Sequence, residues 1–532
     1  MAELMAADFD IIVIGSGPAG VSVSFPLVEA GLKVLMVDGG REPDSPSPSS
    51  PFLVGRSEDR SQWKWMIGED FHALRDDSGS PKMRVPGHAF VFDGFGDANR
   101  IGASDYVAIG SLARGGLSNA WGCGVATLSQ DEMREFPFPR TELEPSYAAV
   151  ARRIGISGAE NDDMADYFGL DAWADPPIRA DALNARLLER YSEIPNAASA
   201  LGFRLGRSRT AVLQTDRGAR KACDLSGNCL WGCDRRSLYT ATEDLSALKK
   251  HTNFVYRPGF VVEKLIDKNG WHQVLGSGPD GNTTYGAPRL ALAAGTLAST
   301  RLSLQLIGHR LPVPMQACPS AAFMVWIPVM LGRRREPAFG LGQLSFAMDL
   351  AGGAGAFGSL FNPTGIPIAE FSRHMPFRKR FGIDILATLM SSCLAGNVFL
   401  PGRLSTATVT LGGSGQLHVQ GAYATEVASL MLEAEKLLRR AFRRLGAVML
   451  PGSFTIGRPG GDIHYAATLP MRAAPTIGET DSLGELYGVS GIHVVDGASL
   501  TDLTEKSHTL TIMANADRIG RRIVAARSQP AG

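Results

Sequence analysis

Six residues, Gly15-Ser16-Gly17-Pro18-Ala19-Gly20, constrain this chain more than any others. They follow an apolar run at 9–14 and open a segment of helical pattern at 19–30, after which a second apolar run, 33–37, ends in Asp38. The order predicts a strand, a turn, a helix and a second strand, the start of a βαβ unit that binds a dinucleotide. Gly15 permits the tight bend, Gly17 lets backbone amides approach a pyrophosphate, and Gly20 lets the helix pack on the strand. The helix start, at Pro18 and Ala19, presents its partial positive charge to the phosphates. Asp38, followed by Gly39, can accept hydrogen bonds from a ribose diol and would repel a 2′-phosphate, which argues against NADP. The turn alone does not choose between FAD and NAD.

With 532 residues, 44% of them hydrophobic, the chain is long enough for one large two-domain protein. Its 53 basic and 53 acidic residues balance and are dispersed, so nothing favours nucleic acid or an anionic membrane as partner. Residues 1–8 carry no basic region or apolar signal core, and six scattered cysteines make no disulfide framework, which together predict the cytoplasm. The longest later apolar run, 321–331, falls short of the roughly 20 residues of a spanning helix and contains Pro328, so it reads as a buried strand. The basic residues Arg333–Arg335, and the basic and aromatic cluster at 374–381, read as solvated charges flanking a strand in preference to a membrane-facing patch.

Between residues 41 and 99 the pattern is irregular, with a Ser/Pro tract at 43–51 that reads as a surface excursion. A glycine-dense stretch follows at 109–125. Helical pattern is expected at 181–191, strands at 253–256, 260–265 and 290–293, and a helix at 299–307. An antiparallel sheet is expected over 321–417, then a strongly amphipathic helix at 426–445. The last strand, 492–495, ends in Asp496-Gly497, and 509–523 reads as a closing helix. Nucleotide-fold elements therefore stand at both ends with something else between them. The expected fold is α/β: a discontinuous Rossmann-like FAD-binding domain (1–130, 221–310 and 480–532) and an inserted α+β substrate domain built on an antiparallel sheet (131–220 and 311–479).

The segment from Gly491 through Asp496-Gly497 to Ser507-His508-Thr509 and Ala514 resembles the closing segment of the glucose-methanol-choline oxidoreductases. Two internal stretches support the resemblance. Arg114-Gly115-Gly116-Leu117-Ser118-Asn119-Ala120-Trp121-Gly122 is similar to the family's glycine-rich approach to the flavin ring, and Ala294-Gly295 with the residues after it resembles a second family signature. The resemblance implies FAD, with Val262 and Thr509 also against the cofactor, and with the amides of Gly115 and Gly116 near the flavin N5 and pyrimidine edge. In one branch a His two residues after the Ser links covalently to the flavin; here that position is Ala120, so the FAD is expected to dissociate.

Flavin alcohol oxidation needs a base for the hydroxyl proton while hydride leaves for the cofactor. The family takes it from a His with a second His or Asn beside it. Gly461-Asp462-Ile463-His464 resembles the stretch bearing the first His, which makes His464 the expected base. The partner depends on alignment. One alignment puts Ser507 in the amide slot and the other puts His508 in the second His position; His508 is preferred because a hydroxyl is a poor base.

Cys223, Cys229 and Cys233 resemble the cluster-binding stretch of membrane-linked FAD sugar dehydrogenases, in which three thiolates can cap one face of an iron-sulfur cluster. Flavin-only relatives keep similar cysteines, and a plain loop without metal is the preferred reading over a cluster or zinc. The expected activity is FAD-dependent oxidation of a CH–OH group in a small-molecule sugar, glycoside or other secondary alcohol, with oxygen, a quinone or a carrier protein as acceptor. A second reading keeps the same fold for isomerisation, elimination or decarboxylation, and a third makes the chain a non-catalytic nucleotide binder.

Overall fold

The computed structural model describes residues 9–527 apart from 72, 74–79, 195–199, 280, 364–377, 379–380, 383–384 and 386–387. Its organising element is a five-stranded parallel sheet. The strand order is Ile492–Val494, Leu290–Leu292, Ile11–Ile14, Val34–Val37 and Phe254–Arg257. The runs IIVI and VLMV are apolar at every position because both faces of this sheet are covered. Alternation then divides them. Ile11, Val13, Val34 and Met36 face the helices Pro18–Glu29, Ala241–Leu248 and Thr509–Arg527. Ile12, Ile14, Leu35 and Val37 face the helix Thr296–Ile307 and an antiparallel three-stranded sheet, Val261–Lys268, Trp271–Gly278 and Gly281–Ala287. The first and last helices touch where Gly520 has no side chain; a Cβ there would lie 2.6 Å from Pro26 Cγ.

The antiparallel sheet expected in the second half is present. The strands run in the order Ser320–Trp326, Cys393–Phe399, Gly355–Phe361, Leu344–Asp349 and Phe203–Arg207, and the short Val448–Met449 and Thr455–Ile456 pair with the first of them. One face buries Leu344, Phe346, Leu360, Leu394 and Val398 under the helices Ala182–Glu193 and Val427–Arg444. The helix Val427–Arg444 has the amphipathic pattern read from the sequence, with Leu438, Ala441 and Phe442 on its buried side. The other face of the sheet looks into the interior cavity. A mixed sheet, Tyr465–Ala466, Val313–Ala317, Ala407–Leu411, Leu417–Gln420 and Ile101–Ser104, joins this half to the nucleotide half.

The 41–99 excursion carries more structure than its pattern suggested. The Ser/Pro tract stays irregular, but Phe52–Glu58 and Gln62–Ile67 are short helices, and Phe52, Met66, Val85 and Trp231 form a small apolar cluster. Arg333 and Arg334 are exposed, as expected; most of 374–381 lies outside the described residues. No described helix is long and apolar enough to cross a membrane.

Candidate active site

The glycine turn folds as its spacing requires. Gly15 has φ +105°, and a Cβ on it would stand 2.4 Å from the carbonyl oxygen of Ala293 on the neighbouring strand. A Cβ on Gly20 would stand 1.9 Å from the Gly15 carbonyl oxygen, so helix and turn are in contact. At Gly17, which precedes the helix Pro18–Glu29, a Cβ would meet nothing within 4 Å. That open space lies on the wall of a cavity of about 1220 Å³, larger than the roughly 300–1000 Å³ of an ordinary small-molecule pocket. It therefore has room for a dinucleotide and a substrate together.

Asp38 is buried at the end of the second strand. Its Oδ2 accepts from the Ser16 amide (2.9 Å), and its Oδ1 accepts from the Gly40 amide (2.7 Å) and the Tyr256 hydroxyl (3.1 Å). Burial raises its pKa despite these donors. Gly39 lines the cavity beside it. A second buried carboxylate, Asp496, accepts from the Gly295 amide (2.9 Å), the Ser299 hydroxyl (2.5 Å) and the Ala498 amide (3.0 Å). Burial pushes its pKa up to about 6. It ties the last strand to the start of the helix Thr296–Ile307, and Val262, Ala294, Gly295, Gly497 and Thr509 lie on the cavity wall around it.

The second glycine segment crosses the first, with Gly116 so close that a Cβ would meet Gly17 Cα at 3.2 Å. One expectation fails here. The Gly115 amide donates to Ser16 Oγ (2.9 Å) and the Gly116 amide to the Ala113 carbonyl (2.8 Å), so neither is free for a flavin edge. Gly20, Gly115 and Asn119 stand behind the wall as supports; the Asn119 side chain donates to the carbonyls of Arg114 (2.9 Å) and Gly116 (2.8 Å) and closes the loop. Ser118 and Ala120 do face the cavity, and the Ser118 hydroxyl donates to the Gly115 carbonyl at 2.6 Å.

His464, Ser507 and His508 come together on the same cavity. The imidazoles of His464 and His508 stand 5.0 Å apart, perpendicular to each other, and Phe399 lies 5.1 Å from His464 on another side. His464 sits just before the short strand Tyr465–Ala466, flanked by two left-handed non-glycine residues, Ile463 (φ 65°) and Ala467 (φ 61°). Such a conformation in a β-branched residue is strained and marks a backbone fixed by its surroundings. His508 precedes the last helix, its carbonyl accepting from the Ile512 amide at 2.9 Å. Burial, and then His464, push its pKa down to about 3, so it is neutral; the positive end of the helix acts in the same direction. Ser507 packs against Gly124, where a Cβ would stand 2.9 Å from its hydroxyl.

Sequence reading missed three neighbours. Asp462 Oδ2 lies 3.2 Å from His464 Nδ1, though not aligned as a hydrogen bond. The ligand atoms of Cys318, Asp462 and His464 fall within 4.8 Å of one another, and burial raises the Cys318 thiol well above its usual pKa. Lys82 lines the cavity from the irregular 41–99 segment, with burial lowering its pKa to about 8. Asp462 could have been flagged by its place two residues before His464; Cys318 and Lys82 arrive from distant segments that carry no local signal. Cys223, Cys229 and Cys233 are free thiols. Burial pushes Cys223 up to about 11 and Cys229 well above its usual value.

The glycine turn, the buried Asp38 and the paired His464 and His508 all line one cavity large enough for a dinucleotide. The chain matches no protein-family profile. It is 25% identical to paromamine 6'-oxidase of Streptomyces fradiae over 537 residues, 97% of this chain and 91% of that protein. It is 26% identical over 263 residues to 2-methyl-1,2-propanediol dehydrogenase of Mycolicibacterium austroafricanum, 49% of this chain and 44% of the relative. Among solved structures, formate oxidase of Aspergillus oryzae RIB40 superposes with a TM-score of 0.63 at 13% identity, covering 98% of this chain and 99% of the other. Pyridoxine 4-oxidase of Mesorbium loti gives 0.61 at 14% identity, with 97% and 99% covered. Over nearly its whole length the chain is similar to paromamine 6'-oxidase, and it shares its fold with formate oxidase and pyridoxine 4-oxidase.

Proposed function

We propose that this chain oxidises a primary or secondary alcohol carbon of a small polar molecule, with His464 as the base and His508 and Ser507 as its partners. The observation that supports this is the meeting of His464, His508 and Ser507 on the cavity that also holds the glycine cradle. FAD, when bound, supplies a two-electron acceptor for the hydride leaving the carbon. Asp462, 3.2 Å from His464 Nδ1, favours the proton on that nitrogen and leaves Nε2 as the acceptor for the substrate hydroxyl. His508, held neutral, offers the alcohol oxygen one N–H donor without adding a charge beside a protonated His464. The hydroxyl of Ser507 orients the substrate and takes no proton. Removing the hydroxyl proton as the hydride departs avoids a cationic intermediate, which is the share of the barrier a positioned base lowers.

The flavin is dissociable in this reading, because Ala120 offers no nucleophile to the ring. The cytoplasm is the proposed compartment, on the six cysteines that form no disulfide pair. Anaerobic mixing with candidate alcohols tests the activity through bleaching of the flavin band near about 450 nm. Bleaching by an alcohol supports it. Turnover of a substrate without net flavin reduction moves the enzyme to isomerisation or elimination chemistry.

A further inference from the structure

Three metal-ligating side chains meet on the Nδ1 side of His464. Cys318 follows the strand Val313–Ala317, and its amide donates to the His464 carbonyl at 3.1 Å, continuing the antiparallel pairing of Gln316 with Ala466 and Ala317 with Tyr465. Cys318 and His464 are therefore neighbours across a hydrogen-bonded ladder. Asp462 reaches the same spot through the left-handed turn at Ile463 (φ 65°), which brings its Oδ2 to 3.2 Å from His464 Nδ1. One sulfur, one imidazole nitrogen and one carboxylate oxygen thus lie within 4.8 Å of one another on a backbone that pairing and turn hold in place.

Unmet bonding capacity points to a ligand there. The Asp462 side chain is only 5% exposed, yet neither of its oxygens has a hydrogen-bond partner among the described residues, and His464 Nδ1 has none either. A buried carboxylate without donors is costly, and a cation supplies what is missing. Sulfur, nitrogen and oxygen together are a donor set for zinc, whereas magnesium and calcium take oxygen. The charges also close: Zn2+ against the Asp462 carboxylate and a Cys318 thiolate is neutral, the thiol proton passing to solvent. Bond lengths of roughly 2.0–2.3 Å set the ligand atoms of a tetrahedral zinc about 3.3–3.8 Å apart. The trio therefore has to close by about an ångström at its widest, which a rotation of the thiol away from the Thr504 carbonyl, its acceptor at 3.3 Å, can supply. Asp462 and His464 line the cavity, which gives an ion its way in.

We infer that Cys318, Asp462 and His464 form an inhibitory zinc site. Zinc on Nδ1 takes the lone pair of that nitrogen, so the neutral ring must carry its proton on Nε2. That tautomer is the opposite of the one in which Nε2 accepts the hydroxyl proton of the substrate. The zinc-loaded enzyme lacks its base while FAD stays bound. The inhibition rests on the reading of His464 as the base; the binding of zinc does not.

Binding and inhibition are read separately. The FAD-loaded wild type and the variants Cys318→Ala and Cys318→Ser, freed of metal with a chelator, are titrated with zinc acetate by calorimetry, with magnesium acetate as control, and zinc per flavin is measured after gel filtration. Zinc held by the loop of Cys223, Cys229 and Cys233 is common to all three proteins and cancels. Anaerobic flavin reduction by an alcohol is then followed with and without zinc, each protein against its own metal-free rate. The wild type is expected to hold about one zinc per flavin more than either variant. Half-inhibition should need about 100-fold or more zinc in the variants, since even an outer partner of a metal ligand is worth roughly 10–100-fold. Equal zinc content and equal inhibition in all three proteins overturn the site, and so does faster reduction with zinc. An anomalous difference map from zinc-soaked wild-type crystals, which needs neither variant nor substrate, should place the ion between Cys318 Sγ, Asp462 and His464 Nδ1; an ion found only elsewhere overturns the site. Zinc at that place with no slowing of reduction leaves the site standing and overturns His464 as the base.

Discussion

Acid should reveal how thoroughly the fold strips water from His508. In the folded chain its imidazole is held neutral, with a pKa near about 3, by burial first and by His464 second. In the unfolded chain it titrates near about 6.5. Above that value neither state carries the proton and His508 makes no demand on stability. As pH falls through the window between the two values, the unfolded chain takes up a proton that the folded chain refuses, so folding weakens until the native group titrates as well. At about pH 5 the gap has opened by roughly 1.5 pH units, on the order of 2 kcal/mol. His508→Gln keeps an amide of similar reach and cannot titrate. His88, pushed down to about 4 by burial, imposes a parallel loss on both proteins and cancels in the comparison. Urea unfolding of both FAD-loaded proteins at about pH 7.5 and about pH 5 should show wild type losing on the order of 2 kcal/mol more than the variant. Equal losses would mean that His508 reaches water and keeps its ordinary pKa, which refutes both its burial and its assignment as a neutral partner.

Three further outcomes are expected. His464→Ala should retain FAD and slow anaerobic reduction of the flavin by about 100-fold or more; reduction at the wild-type rate removes His464 from the mechanism. Asp38→Ala leaves the Ser16 and Gly40 amides and the Tyr256 hydroxyl without their acceptor, and should weaken FAD binding by about tenfold or more in a fluorescence titration, an unchanged affinity being the contrary result. Iron analysis of purified protein should find no stoichiometric iron per flavin, and Cys223 and Cys229, protonated by burial, should react slowly with a disulfide reagent; one equivalent of cluster, seen by paramagnetic resonance, would reverse the reading of that loop.

The two ends of the chain were legible because their signals are local. Ile11–Ile14, the turn, the helix Pro18–Glu29 and Val34–Val37 follow one another in sequence, and Gly15 and Gly20 are each required by an atom within a few residues or just past the adjacent strand. Local signals also misled. Two glycines side by side at Gly115-Gly116 suggested free amides, but Gly116 permits close approach to Gly17 and Gly115 close approach to Thr242, while their N–H groups bond to Ser16 and Ala113. The segment 41–99 looked irregular because none of its helices exceeds seven residues and its apolar cluster needs Trp231 from far along the chain. Lys82 reaches the cavity from the same segment and was invisible for the same reason.

Ser507 and His508 show a different limit. As sequence neighbours at the mouth of the last helix they satisfy two alignments equally, and in the fold both line the cavity. Surroundings separate them: Ser507 meets the bare backbone at Gly124, whereas His508 meets the other imidazole. The row of Ser345, Ser359 and Asn397 on the cavity face of the antiparallel sheet was further out of reach. Ser345 and Ser359 are 14 residues apart, and Ser359 and Asn397 are 38 apart, and in sequence each is one small residue among several. Only pairing register puts them in one line, and because side chains alternate with a period of two, a slip of one residue would turn all of them into the apolar core. The buried partners Phe346, Leu360 and Val398 on the opposite face therefore fix the polar line as firmly as the serines' own bonds do.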